Sequence, residues 1–329
     1  MKKFPALLID LFIFFAVSGA SHTALAQADK DKVTVAIISL TLNNLPIYVA
    51  QEKGFFTKEN LFVEVVLLGA STRSIPALVG NSVHISASSA MTTIRAIEKG
   101  AALKIVGGMV NGPVYDLISL PKYKSIKDLK GTTIGVTGII TSDTVVMKEM
   151  LKAHGLEYPR DYAMLAIGGA TERWIAIQSG NISSGIFSPP YTFAAEEGGY
   201  NNLGATVKYV PNFTQTVFNV RAGWANERRA VLVRFMKAIL RAERWIYSQK
   251  EDTVRIIAKK LKFSEKHSEA SWRYYVENNI IPKDGEVNTK GMDKVTQLLV
   301  EDGTLKPPLP RPDKYVDESF VEEAKRLIQ

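Results

Sequence analysis

The chain contains no cysteine. That excludes disulfides, thiolate metal sites, iron–sulfur clusters, a cysteine nucleophile and a lipid anchor on an N-terminal cysteine. Histidine is scarce too. His84, His154 and His267 lie far apart, outside any metal-ligand spacing, and read as core or surface side chains. There is no G-x-S-x-G, no P-loop, no H-E-x-x-H, and no G-x-G-x-x-G after a strand. No metal and no cofactor is therefore expected. Asp116 and Asp143 could pair as acids, but Asp143 reads better as an acid in a helix's first turn, at the positive end of the dipole. Beyond the N-terminal segment no apolar run reaches the ~18 residues of a membrane span. Charge excess is small: 41 Lys+Arg against 33 Asp+Glu gives +8, too little to argue for nucleic acid.

What is present is ordinary globular composition, 46% hydrophobic and 22% charged over 329 residues, enough for about two domains. Residues 1–26 read as a secretory signal peptide. Lys2 and Lys3 form a positive start, Leu7 to Val17 is apolar apart from Asp10, and Ala24-Leu25-Ala26 is a small-x-small cleavage site. An uncleaved anchor is the alternative, against which the short apolar run counts. Cleavage leaves 303 residues carrying +7, a soluble product expected in the periplasm without a lipid anchor.

From Val33 to about Asn219, short β-branched runs alternate with helical patterns, which predicts α/β lobes with mainly parallel sheets. Strands are expected at 33–38, 62–67, 83–86, 103–110, 114–120, 132–136, 162–167 and 183–187. Helices are expected at 44–53, 72–79, 91–99, 141–154 and 171–179. Met91, Phe55 and Phe56 read as core. From Asn226 onward the pattern is nearly all helix. Val231, Phe235, Ala238, Ala242 and Trp245 share one face, and Arg234, Lys237, Arg241 and Arg244 form a basic stripe on another. The stripe reads as a solvated face, or as a docking face for an acidic partner or anionic lipid. Pro307 to Pro312 reads as a stiff connector before a last helix at 317–327.

The chain also matches itself one hundred residues apart. Gly69/Gly169, Ala70/Ala170, Arg73/Arg173, Ile75/Ile175, Gly80/Gly180 and Asn81/Asn181 are identical pairs. The physical reading is two similar lobes, each with a strand leading through a Gly-Ala-Ser/Thr turn into a helix. Generic β–α–β convergence is the alternative. In open α/β sheets ligands bind beyond the C-terminal ends of the strands, so two such edges face to face make a cleft. The candidate ligand contacts are the small polar groups at those edges. The first lobe offers Asn43, Asn44, Ser71, Thr72, Arg73, Ser88 and Ser89. The second offers Thr137, Gly138, Thr141, Ser142, Trp174, Ser188 and Tyr191. Hydroxyls beside helix N-termini suit an oxyanion. Residues 137–142 are the leading anion site, with plain capping of the next helix as the alternative. Arg73 or Arg173 could clamp an anion, and Trp174 and Tyr191 could stack on a flat ligand or simply pack.

Asn44-Leu45-Pro46-Ile47-Tyr48-Val49-Ala50 followed by Glu52-Lys53-Gly54-Phe55-Phe56 resembles the opening of the NMT1/THI5-like solute-binding proteins of ABC importers. Asp128-Leu129-Lys130-Gly131 with Ile134-Gly135-Val136, and Gly180-Asn181 through Ser188, resemble later parts of that family. The resemblance implies a two-lobed periplasmic-binding-protein fold of type II, with the ligand cleft between the lobes. Lobe I would be 33–112 and 219–329, and lobe II 113–218. Hinge crossovers are expected near 113–119 and 213–220. It further implies a small-molecule solute, closure of the cleft, and a permease in the inner membrane driven by a cytoplasmic ATPase. A monomer is expected. Two departures bear on the ligand. The fungal enzymes of the superfamily use a cysteine-rich motif that this chain lacks, and Asn43-Asn44 stands where some pyrimidine binders carry histidine. The expectation is thus a binding protein for a small polar, anionic solute of the sulfonate, carboxylate or nitrate class. The rivals are a thiamine-precursor pyrimidine as ligand, a secreted enzyme using Asp143 or Asp116, and a receptor-linked sensor.

Overall fold

The β-branched runs form strands, and their pairing sorts them into two sheets. In the computed structural model, which describes residues 30–328, the first sheet holds β1 (Asp31–Ile37), β2 (Leu61–Leu67), β3 (Ile85–Ser89) and β4 (Leu103–Asn111). The second holds β5 (Asp116–Ser119), β6 (Thr133–Val136), β7 (Ala163–Ala166), β8 (Ser184–Phe187) and β9 (Asn201–Ala205). The last strand, β10 (Thr214–Arg221), returns to the first sheet. The orders are β2-β1-β3-β10-β4 and β7-β6-β8-β5-β9. Each sheet is parallel except for one inserted strand. β10 runs antiparallel to β3 and β4, and β5 runs antiparallel to β8 and β9. Both inserted strands are the ones entered directly from the other lobe. The leader expected at 1–26 lies outside the described residues.

The lobe boundaries differ from expectation at one end. Residues 116–119 and 214–221 are strands inside the sheets, so the chain crosses between lobes at 112–115 and again in the segment after β9, before Thr214. A boundary at 218/219 would cut β10 in half, and residues 214–218 belong with the first sheet. A β-branched run looks the same whether it bridges lobes or fills a sheet. Only its long-range partners decide.

Helices follow the strands: α1 (Leu45–Glu52), α2 (Phe55–Lys58), α3 (Ser71–Val79), α4 (Ala90–Glu98), α5 (Ser142–Ala153), α6 (Ala170–Gln178) and α7 (Tyr191–Glu197). The C-terminal third supplies α8 (Ala222–Glu227), α9 (Arg229–Ser248), α10 (Lys250–Leu261), α11 (Glu265–Glu277), α12 (Thr289–Glu301) and α13 (Ser319–Leu327). Helix α9 buries Val231, Phe235, Ala238 and Ala242 against α1, α2 and α13. Phe55, Phe56 and Met91 are core, as expected. Among the described residues no helix is long and apolar enough to cross a membrane.

The basic stripe on α9 is neither a free solvated face nor an open docking face. Arg234 pairs with Asp31 at 2.5 Å, Lys237 and Arg241 pair with Glu59 at 2.8 and 2.6 Å, and Arg244 pairs with Asp284 at 2.8 Å. The helix periodicity showed the cations. Their acids lie some 40 to 200 residues away and could not be read from it.

Candidate functional site

The strand ends of the two lobes face one another, and the polar residues that follow them converge on one cavity. Its lining includes Ser39, Thr41, Asn43 and Asn44 after β1, Ser71 at the start of α3, and Ser89 at the end of β3. The opposite lobe contributes Thr137 after β6, Asp143 in the first turn of α5, and Arg173 from α6. The first crossover contributes Tyr115, and the start of β10, just after the second, contributes Gln215 and Thr216. The starts of α1, α3, α4, α5 and α6 all border this space, so several positive dipole ends point toward it. The cavity volume is about 20 Å³, room for about one water. An organic solute can enter only if the lobes part.

The lobes touch through named groups. Ser39 Oγ accepts from the Ala170 amide at 2.9 Å, and the Ser89 and Ser142 hydroxyls meet across the cleft. Tyr115 OH accepts from Asn43 Nδ2 at 3.1 Å, and Asn43 Oδ1 accepts from Tyr275 OH at 2.6 Å. Burial pushes the Tyr115 phenol up, with the Asp143 charge adding to it, so Tyr115 stays a neutral hydroxyl. Arg173 is 97% buried by its 3% exposure. It donates to Thr137 Oγ1 at 2.6 Å, to Ile186 O at 3.0 Å and to Gly168 O, while its Nε has no partner. Burial pulls its guanidinium below its ordinary value, and the Asp143 carboxylate works against that. Thr137 Oγ1 in turn donates to Asp143.

The structure gathers some of the expected residues and disperses others. Asn43, Asn44, Ser71, Ser89 and Thr137 line the cavity, and Ser142 reaches it through Ser89. Thr72, Arg73 and Gly138 border a separate groove of about 410 Å³ at the rim. Arg73 is exposed there and donates to Leu68 O at 2.5 Å. Thr141 caps its own turn, donating to Gly138 O at 2.8 Å. Ser88 faces into the first lobe, 2.8 Å from Ser86 Oγ and 3.2 Å from Asn219 Nδ2. Ser188 is buried at the end of β8, outside the cavity lining. Trp174 packs edge-on against Phe187 inside the second lobe, away from the cavity. Tyr191 is buried against Phe263, with ring centroids 4.9 Å apart, and its OH lies 2.9 Å from Thr171 Oγ1. Asp116, the other candidate acid, accepts from Asn202 at 2.9 Å on β5.

The residues missed were Ser39, Thr41, Tyr115, Gln215 and Thr216. Ser39 and Thr41 follow a strand end directly, which is a usable signal. Tyr115 sits in the first crossover and Gln215 and Thr216 at the start of β10, and these three carry none.

The self-match also proves to be one residue out of register with the fold. Helices α3 and α6 start at 71 and 170, and the left-handed turn glycines before them are Gly69 (φ +77°) and Gly168 (φ +110°). After them, Asn81 (φ +63°) matches Gly180 (φ +74°). The structural repeat is therefore 99 residues, not 100. One residue is 100° around a helix, so Arg73 turns to the rim while Arg173 turns into the protein beneath the cleft.

A family model described as NMT1/THI5 like matches residues 41–253. A formylaminopyrimidine-binding protein of Halalkalibacterium halodurans is 24% identical over 269 residues, spanning 78% of this chain and 79% of its own. A 4-amino-5-hydroxymethyl-2-methylpyrimidine phosphate synthase of Uromyces fabae is 28% identical over 161 residues, 47% of this chain and 46% of its own. Among solved structures, the ligand-binding component of an ABC-type import system from Staphylococcus aureus superposes with a TM-score of 0.73 at 14% identity, covering 90% of this chain and 100% of its own. The periplasmic nitrate-binding protein of Synechocystis PCC 6803 does so with a TM-score of 0.74 at 15% identity, covering 92% and 90%. The two-lobed fold with a central cleft is that of the periplasmic binding proteins.

Proposed function

We propose, from the premise that the chain belongs to the NMT1/THI5-like family, that it is the solute-binding component of an ABC-type importer. It captures a small polar solute between its lobes and delivers it to a permease in the inner membrane. The observation that carries this reading is the interlobe cavity: a polar space bordered by five helix starts and lined by Arg173, whose Nε has no partner. Such a space favours the acceptor-rich or anionic edge of a ligand, each helix start contributing about 0.3–1 kcal/mol. The crossovers at 112–115 and ahead of Thr214 serve as the hinge, and the lobes close by rotation about them. Lobe I is β1 to β4, β10 and the C-terminal helices, and lobe II is β5 to β9 with α5 to α7. The 1–26 segment as signal peptide, a periplasmic location without lipid anchor, a monomeric state and no nucleic-acid partner belong to the same reading.

Binding rather than turnover is the reading we favour. The relative named a synthase shares less than half of each chain, and the chain's lack of cysteine sets it apart from the cysteine-rich motif of the family's enzymes. A screen by thermal shift tests the proposal, using the purified protein against alkanesulfonates, nitrate, aromatic carboxylates and pyrimidines. At one hundred times Kd a ligand adds about 2.7 kcal/mol, or roughly 4 °C at this size, from about 2.1 cal/mol/K of unfolding entropy per residue. Absence of stabilisation by every class at millimolar concentration overturns the proposal. Intact ligand recovered after binding excludes the enzyme.

A further inference from the structure

We infer that the solute carries an N–H donor next to its acceptor edge, and that the Asp143 carboxylate is the group that recognises it. The inference rests on the solute-binding reading above and narrows it.

Arg173 and Asp143 are the only residues of formal charge that line the cavity among the described residues. Thr137 stands between them. Its hydroxyl oxygen accepts from Arg173 at 2.6 Å and its proton goes to one Asp143 oxygen. The relay therefore has a fixed direction, from guanidinium to hydroxyl to carboxylate. Arg173 spends three of its five N–H groups, two of Nη1 on Thr137 and Gly168 O and one of Nη2 on Ile186 O, and its Nε has no partner. At Asp143 the second carboxylate oxygen makes no hydrogen bond among the described residues, although the residue is only 5% exposed.

An acid in a helix's first turn normally needs no ligand, because it folds back on its own backbone N–H groups. Asp143 instead bonds to the loop before its helix and borders the cavity. The site thus holds a guanidinium with unspent N–H groups and one spare anionic acceptor, and its two charges cancel. A solute that is all acceptor, such as nitrate or a simple alkanesulfonate, satisfies Arg173 and leaves a like charge against Asp143 in a desolvated space. A solute with an N–H beside its acceptor edge satisfies both. A compact zwitterion and an amino-substituted heteroaromatic share that chemistry.

Matched pairs separate these sources. Ethanesulfonate against 2-aminoethanesulfonate, 2-methylpyrimidine against 4-amino-2-methylpyrimidine, and nitrate alone are titrated by calorimetry into the full-length wild-type protein and Asp143→Asn. In at least one pair the amino member is expected to bind wild type about tenfold or more tightly than its parent. Asp143→Asn, which keeps the shape and an acceptor for Thr137, is expected to reduce that preference to within about threefold. Parent compounds or nitrate binding wild type as tightly as the amino members overturn the inference while leaving the solute-binding reading intact. So does a preference that survives in Asp143→Asn. If no member binds wild type, the inference falls, and the solute-binding reading stands or falls on the wider ligand screen. Should Asp143→Asn fail to fold, Asp143→Ser takes its place with the same expected loss of preference, while the wild-type pairs decide whether an N–H donor is required.

Discussion

Glu243 sits mid-helix in α9 with no exposed surface, and neither carboxyl oxygen has a partner among the described residues. Burial, reinforced by nearby Glu286, holds its carboxyl well above the ordinary 4.5. The folded chain therefore keeps a proton that the unfolded chain releases above about pH 4.5. Stability contributed by that proton is full below 4.5 and is lost as pH rises toward the raised value. Glu243→Gln mimics the protonated acid without the titration. Its melting temperature is expected to match wild type near pH 4 and to exceed it at pH 7. Equal melting temperatures at both pH values would show that the acid is not held protonated. At this same scale the sequence was only partly legible. Asn43, Asn44, Ser71, Ser89 and Thr137 could be placed because they are small polar residues directly after strands, where α/β ligands bind. In the sequence Arg173 stands out only as one of a matched pair with Arg73, and the one-residue offset between the match and the fold turns the two side chains to different faces. Tyr115, Gln215 and Thr216 give no signal, since only the meeting of the first crossover with the start of β10 brings them to the cavity.

At the scale of elements, α9 shows what periodicity can and cannot give. Its apolar face was readable and is buried. Its basic face was readable too, but whether it meets solvent, a partner or the protein's own acids depends on tertiary neighbours. Glu59 is the key partner: 6% exposed, and flanked by Lys237 and Arg241. Removing its charge leaves two cations facing a buried uncharged group, so Glu59→Gln is expected to cost about 1–3 kcal/mol in denaturant unfolding. Arg244 and Asp284 are each nearly half exposed, and Arg244→Ala is expected to cost under about 1 kcal/mol. Equal losses for the two would mean that the stripe acts through diffuse charge and not through the buried acid. High salt separates the cases further, because screening weakens the exposed pair much more than the buried one.

At the scale of the molecule, two lobes and their alternation along the chain were legible, since each β–α–β unit announces itself locally. What holds the lobes together was not. On one side of the cleft Phe263, Lys266 and His267 of the first lobe meet Tyr191 and Glu197 of the second, with His267 Nε2 2.5 Å from Glu197. Glu197 is more than half exposed, so this contact is weak and screened. On the other side Arg95 of α4 is held within the first lobe by Asp302 and by Thr304 at 3.3 Å, and it donates across the cleft to Ile140 O at 2.8 Å. Its side chain is only 12% exposed. In the sequence Arg95 is an ordinary base in a helix's last turn, and a backbone carbonyl acceptor leaves no trace in residue type. Ile140 belongs to the same loop as Thr137, so the contact ties closure of the lobes to the cavity's own lining. An interlobe bond of this kind is present only when the lobes are shut, and its free energy adds directly to the closed state. Loss of one such charged hydrogen bond shifts the open–closed balance by about fivefold or more. Arg95→Ala is accordingly expected to raise the solute-free radius of gyration in small-angle scattering and to weaken solute binding by that factor, while Glu197→Gln changes either by less than about twofold. If Arg95→Ala binds as tightly as wild type and scatters identically, the lobes are held shut by the cavity groups alone and Arg95 merely braces α4 against Asp302.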